Sequence, residues 1–119
     1  MTETTIQVLS GAGEGTRILR VDGPLTLQSL FEFQDTLREH VPAATVIDLS
    51  GTPYMDSAAL GAILGFHASC RRNGNRYALA GVNGRVHTLF EVCGVNQLLR
   101  SYATVAEAEE SLGAGSARD

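Results

Sequence analysis

Thr45-Val46-Ile47-Asp48-Leu49, then Ser50-Gly51-Thr52-Pro53, then Tyr54-Met55-Asp56-Ser57-Ala58-Ala59-Leu60 is the stretch that decides how this chain folds. Its first five residues are nearly continuous in apolar character, the pattern of an interior parallel strand buried on both faces. Asp48 is the one anomaly, and a carboxylate placed there is expected to have hydrogen-bond partners close by. Gly51-Thr52-Pro53 turns the chain into the most apolar helix of the sequence, predicted from about Ser57 to Asn73. Either Asp56 or Ser57 can cap that helix by accepting bonds from its first free amides.

Toward the amino terminus, Ile6-Gln7-Val8-Leu9 and Thr16 to Val21 are short, β-branched runs around Gly11-Ala12-Gly13-Glu14-Gly15, which predicts an antiparallel hairpin. The glycine run lacks the Lys-Ser/Thr ending of a phosphate loop and joins two strands instead of opening a helix. Gly23-Pro24 breaks the second strand. Thr26 then caps a helix whose Leu27, Leu30, Phe31, Leu37 and Val41 follow helical spacing, with Phe33 widening the stripe and Pro42 ending it.

Toward the carboxyl terminus, Ala58, Ala59, Gly61, Ala62 and Gly65 are expected to thin the long helix for close approach to a sheet. Leu60, Ile63, Leu64 and Phe66 supply its buried bulk. Arg71 and Arg72 suit the negative end of its dipole, and Gly74 the left-handed position beyond it. Tyr77 to Val82 predicts a strand. Asn83 begins a helix with Val86, Leu89, Phe90 and Cys93 as its core face, closed by Gly94. Gln97 to Tyr102 predicts a last short strand, and Thr104 with Glu107 forms a capping box for a final helix through Leu112. Residues from about 113 to 119 are expected to fray. The order β-β-α-β-α-β-α-β-α predicts a single α/β domain over residues 1–119, a mixed sheet with helices packed on it.

The 119 residues suffice for one domain with its own core, and 44% apolar content is ordinary. Nine basic against thirteen acidic residues give a net charge of -4, which argues against nucleic acid or an anionic membrane as partner and favours a protein. Cys70 and Cys93 lack metal spacing and read as reduced thiols of a cytoplasmic protein. The start, Met1-Thr2-Glu3-Thr4-Thr5, is not that of a signal peptide. The apolar run Ala58 to Phe66 is far shorter than the roughly 20 residues of a membrane helix, so a soluble protein without membrane insertion is expected.

Nor do the residues spell out an active site. Ser57 is in no Gly-x-Ser-x-Gly elbow, His40, His67 and His87 form no His-x-x-x-His pair, and the chain has no lysine to complete a phosphoacceptor aspartate site. The expectation is no enzyme, no metal and no cofactor. What remains at Ser57 is position. A phosphate there would meet the positive end of a helix dipole and add about -1.5 to -2 charges beside Asp56, repelling a partner that accepts the neutral surface.

Val46-Ile47-Asp48-Leu49-Ser50-Gly51 with Tyr54-Met55-Asp56-Ser57-Ala58-Ala59-Leu60-Gly61 resembles the signature of STAS domains, specifically bacterial anti-sigma-factor antagonists. The resemblance extends over nearly the whole chain in element order. It implies a partner-switching role: the unmodified protein binds an anti-sigma factor that is also an ATP-dependent serine kinase and so frees the sigma factor. Phosphorylation of Ser57 ends the interaction, and a serine phosphatase resets it. ATP then belongs to the kinase. The resemblance implies partner contacts at Met55, Asp56, Ser57, Ala58 and Ala59, and at Gly23 and Thr26 in the loop after the second strand. Where the family's usual core is Asp-Ser-Ser-Gly-Leu, Ala58 and Ala59 replace the second serine and the glycine, leaving Ser57 as the motif's single hydroxyl. Gly23-Pro24-Leu25-Thr26 stands where many antagonists carry Gly-x-Leu-Asp. The alternative is a phosphorylation-independent interaction or scaffold subunit of a transporter or signalling complex.

Overall fold

The computed structural model describes residues 3–117. β1 (Thr5–Ser10) and β2 (Thr16–Asp22) form the antiparallel hairpin, in register from Thr5 opposite Asp22 to Ser10 opposite Arg17. β3 (Ala44–Gly51), β4 (Arg76–Ala80) and β5 (Ser101–Tyr102) then add in parallel, so the sheet runs β1-β2-β3-β4-β5. β3 is flanked on both sides, and each of its residues from Ala44 to Leu49 is buried, as its apolar run predicts. Asp48 accepts from the Ser50 amide at 3.0 Å and the Ser50 hydroxyl at 2.8 Å, the local partners its position demands.

Side chains alternate across a strand, and the two faces of the sheet are covered differently. On one face Leu19, Val21, Ile47, Leu49 and Leu79 meet α1 (Leu30–Arg38), α2 (Ser57–Asn73) and α3 (Gly84–Val92), which bury Phe33, Leu37, Leu60, Ile63, Phe66, Val86 and Phe90. On the other, Ala44, Val46, Ala78 and Ala80 meet Ala108 and Leu112 of α4 (Val105–Ala117). Close helix-to-sheet approach thus comes from small residues in β3 and β4 beneath α4. The glycines expected to serve it in α2 do not: Gly61 and Gly65 are exposed, and a Cβ added to either would have no neighbour within 4 Å.

The segment after β2 departs most from its sequence reading. Thr26 caps a single 3-10 turn, Leu27–Ser29, its hydroxyl accepting from the Gln28 amide and its own amide donating to Ser29 Oγ. Three residues per turn shift the phase of the adjoining helix. Phe33 and Leu37 become the buried face of α1, while Leu27 and Phe31 are 62% and 72% exposed. The helix also ends at Arg38, before Pro42. Its last carbonyls are held by the buried Arg17 guanidinium, which donates to Thr36 O at 3.1 Å, Leu37 O at 2.8 Å and Glu39 O at 2.9 Å, with Nε on Thr45 Oγ1 at 3.0 Å. Desolvation by burial lowers the Arg17 pKa from its ordinary value, partly countered by Cys70 nearby.

Smaller differences from expectation lie further along the chain. β4 stops at Ala80 because Gly81 turns with φ of 72°, where an added Cβ would lie 2.7 Å from Ser50 Cβ. Cys93 is exposed beyond α3, and Leu99 from the next connection enters the core in its stead. Gln97 to Leu99 are turns, leaving β5 two residues long. Thr104 Oγ1 accepts from the Glu107 amide at 3.1 Å, and α4 runs from Val105 to Ala117. The last two residues of the expected tail, 118 and 119, lie outside the described residues. Among the described residues no helix is long and apolar enough to cross a membrane, and no group of acidic, histidine and cysteine side chains is placed to hold a metal ion.

Candidate functional site

The carboxyl ends of β2, β3 and β4 deliver three loops to one end of the sheet, which is where parallel α/β folds place their sites. The loop after β2 and the loop after β3 are zipped together. Gly23 N donates to Gly51 O at 2.9 Å, Leu25 N to Tyr54 O at 3.1 Å and Asp56 N to Leu25 O at 3.0 Å, so Leu25 and Met55 pair like residues of adjacent parallel strands. Gly23 has φ of 121°, a conformation L side chains rarely adopt, and a Cβ there would fall 2.6 Å from Glu3 O. The buried Thr52 hydroxyl donates to Val21 O at 3.1 Å. From the loop after β4, Asn83 Nδ2 donates to Pro53 O at 3.0 Å while its Oδ1 caps α3 at the Val86 amide. Arg85 stacks its guanidinium 4.9 Å from the centre of the Tyr54 ring, a cation–π contact.

Asp56 is the joint of this arrangement. It is the N-cap of α2, with Oδ1 accepting from the Ala59 amide at 3.0 Å. Its second oxygen, Oδ2, accepts from the Leu27 amide at 2.9 Å. One carboxylate therefore fixes both the start of α2 and the 3-10 turn that precedes α1. Ser57 is the first residue of α2 and exposed. The third amide of the helix is taken by Asp56 Oδ1 and the fourth by Asp56 O. The Ser57 and Ala58 amides have no residue a full turn earlier within the helix to accept from them, and remain the donors beside the Ser57 hydroxyl. A phosphoryl group on Ser57 would meet those donors and the positive end of the dipole.

Of the residues expected to contact a partner, the structure gathers Gly23, Thr26, Asp56, Ser57 and Ala58 at one accessible surface. Met55 and Ala59 point the other way, 7% and 0% exposed, into the core under α2. Their side chains hold the loop and helix to the sheet, and direct contact through them is closed off. The sequence reading missed Leu27 and Phe31, one helical turn apart and exposed, as well as Tyr54, which is 37% exposed, and Arg85. A signal was present: Phe31 and Phe33, two residues apart, cannot share one helix face. Down α2 from Ser57, Gly61 and Gly65 recur at four-residue intervals, giving a bare, exposed stripe beside the hydroxyl.

A family model described as the STAS domain matches residues 8–108. The chain belongs to the STAS domain family. Among its relatives is the anti-sigma-B factor antagonist of Staphylococcus aureus, 27% identical over 84 residues, 68% of this chain and 78% of that protein. The Bacillus cell fate determinant SpoIIAA, solved in its phosphorylated form, superposes with a TM-score of 0.70 at 17% identity, covering 91% of this chain and 99% of that one. The murine Slc26a9 anion transporter shares the fold with a TM-score of 0.74 at 13% identity. There the match covers 96% of this STAS chain but 22% of the transporter.

Proposed function

We propose that this STAS domain is an anti-sigma-factor antagonist switched by phosphorylation at Ser57. In the unmodified state it binds an anti-sigma factor that is also an ATP-dependent serine kinase, and the sigma factor is released. Modification ends binding, and a serine phosphatase restores it. The domain is thus substrate and ligand rather than enzyme, working in the cytoplasm, with ATP carried by the kinase. The observation that carries this reading is the exposed Ser57 hydroxyl on the first residue of α2, with Leu27 and Phe31 exposed on the neighbouring 3-10 turn and α1.

The physical consequence of modification is local. The helix end accommodates a phosphate, so the fold survives, while about -1.5 to -2 charges appear where a partner must desolvate the surface. The name of the Staphylococcus aureus relative and the phosphorylated form of SpoIIAA support the same reading. The test is to incubate the protein with ATP and an anti-sigma kinase encoded beside its gene. One phosphate is expected, mapped to Ser57 and absent in Ser57→Ala, and Ser57→Asp is expected to weaken kinase binding tenfold or more. A partner that binds wild type, Ser57→Ala and Ser57→Asp equally would leave the phosphorylation-independent scaffold role in its place.

A further inference from the structure

At the far end of α2, about 20 Å from Ser57 by helical rise, a cavity of about 280 Å³ opens at the β5 edge of the sheet. Three of the chain's nine arginines line it, from three separate segments: Arg71 in the last turn of α2, Arg76 at the start of β4 and Arg100 just before β5. No carboxylate of the described residues lines it. Glu109 and Glu110 face a neighbouring cavity that shares only Arg76 and Leu112 with it. For a chain of net charge -4 this is an unusual concentration of one sign.

The other lining groups are neutral or donors. Burial raises the Tyr77 phenol and, from a different position, the Cys70 thiol, so both keep their protons at neutral pH. The Tyr77 hydroxyl is paired with His67 Nδ1 at 2.8 Å. Arg76 is held in place by its bond to Leu112 O, whereas Arg71 and Arg100 are exposed and, among the described residues, make no ion pair. The backbone adds a further donor. β5 pairs only with Leu79 and Ala80, and Leu79 N and Gly81 N donate toward it, to Arg100 O and Tyr102 O. Arg76 N donates to the opposite side, to Ala43 O. By the alternation of a strand the Tyr77 amide therefore faces the β5 side, at a point the two-residue strand does not reach. Guanidinium groups lining one cavity with an amide that β5 leaves unpaired are the kind of donors that recognise phosphate oxygens.

We propose that this cavity binds a small diphosphate-bearing metabolite, with Arg71, Arg100 and the Tyr77 amide as its donors. A volume of about 280 Å³ leaves room for a diphosphate and for part of the group that bears it. The site shares no residue with the Ser57 surface and stands whether or not Ser57 is modified.

The experiment titrates the whole chain with pyrophosphate at constant ionic strength, set with sodium chloride. It follows heat of binding, Tm and the backbone amide spectrum by NMR. A saturable isotherm is expected, with a Tm rise on the order of 10 °C at a hundredfold excess over the dissociation constant, and the Tyr77 amide among the shifted resonances. Arg71→Gln and Arg100→Gln should each weaken binding about tenfold. Arg72→Gln, the same charge change on the next residue of α2 but lining a different groove, should leave it unchanged. Absence of saturation, or equal weakening by Arg72→Gln, would overturn the proposal, the latter by showing a diffuse charge effect.

Discussion

Replacing Asp56 by alanine removes two bonds that a single carboxylate makes, one to the Ala59 amide and one to the Leu27 amide, 29 residues before Asp56 in sequence. The cap on the Ala59 amide is worth about 1 kcal/mol, and the charge-assisted bond from the Leu27 amide about another 1 kcal/mol at a partly exposed position. Loss of a negative charge at the helix amino end adds a few tenths, so Asp56→Ala is expected to cost about 2 to 2.5 kcal/mol. In a domain of this length that is a fall in Tm of about 10 °C. Asp56→Asn separates the contributions: its carbonyl can still cap α2, but its NH2 group faces the Leu27 donor and cannot accept from it. It should fall about midway. The chain has no tryptophan, so urea unfolding is best followed by far-UV circular dichroism, with hydrogen exchange at the Leu27 amide as a local probe. A loss below about 0.5 kcal/mol for Asp56→Ala, or an Asp56→Asn variant as stable as wild type with Leu27 still protected, would refute the two-bond reasoning.

Two further outcomes are expected at buried groups. Arg17→Met strips the carboxyl end of α1 and Thr45 of their donors and should cost about 2 to 4 kcal/mol in urea unfolding. Arg17→Lys should recover less than half of that, because an ammonium cannot span three carbonyls and a hydroxyl as the guanidinium fork does. Burial raises the Cys70 thiol above its ordinary value, so the native state holds that proton more tightly than the unfolded chain does. Stability from this source is complete below the unfolded thiol's value of about 8.5 and declines as pH rises beyond it. Cys70→Ala should flatten the first part of the alkaline decline in Tm, leaving the part due to Tyr77, which is shifted in the same direction at higher pH.

The path from β3 to α2 was legible because every local signal agreed: a continuous apolar run, a Gly-Thr-Pro turn, an aspartate at the cap and a Gly at the left-handed end. Ser57 at the helix start was legible for the same reason. Which of its neighbours face outward was not, since that depends on helix phase, fixed only when Asp56 takes the cap position and turns Ala59 and Leu60 inward. Met55 is turned inward by pairing with Leu25, thirty residues earlier, a register that sequence alone does not declare. In α1 two apolar sets competed, and the 3-10 turn decided for Phe33 over Phe31. Cys93 read as core on spacing, but the helix ends before it can be carried inward. The second bond of Asp56 and the meeting of Arg71, Arg76 and Arg100 depend on tertiary closure and left no local trace.

Gly61 and Gly65 make α2 weaker than it need be. Each lowers helix stability by about 1 kcal/mol relative to alanine, and no contact among the described residues compensates, since the space above both is open. An alanine at either position would fit without strain and strengthen the free domain. It would also raise a methyl group on the track that begins at Ser57, keeping another molecule's backbone at a greater distance. At these two positions, then, the durability of the domain and the bareness of its surface move in opposite directions, and the sequence has settled on bareness.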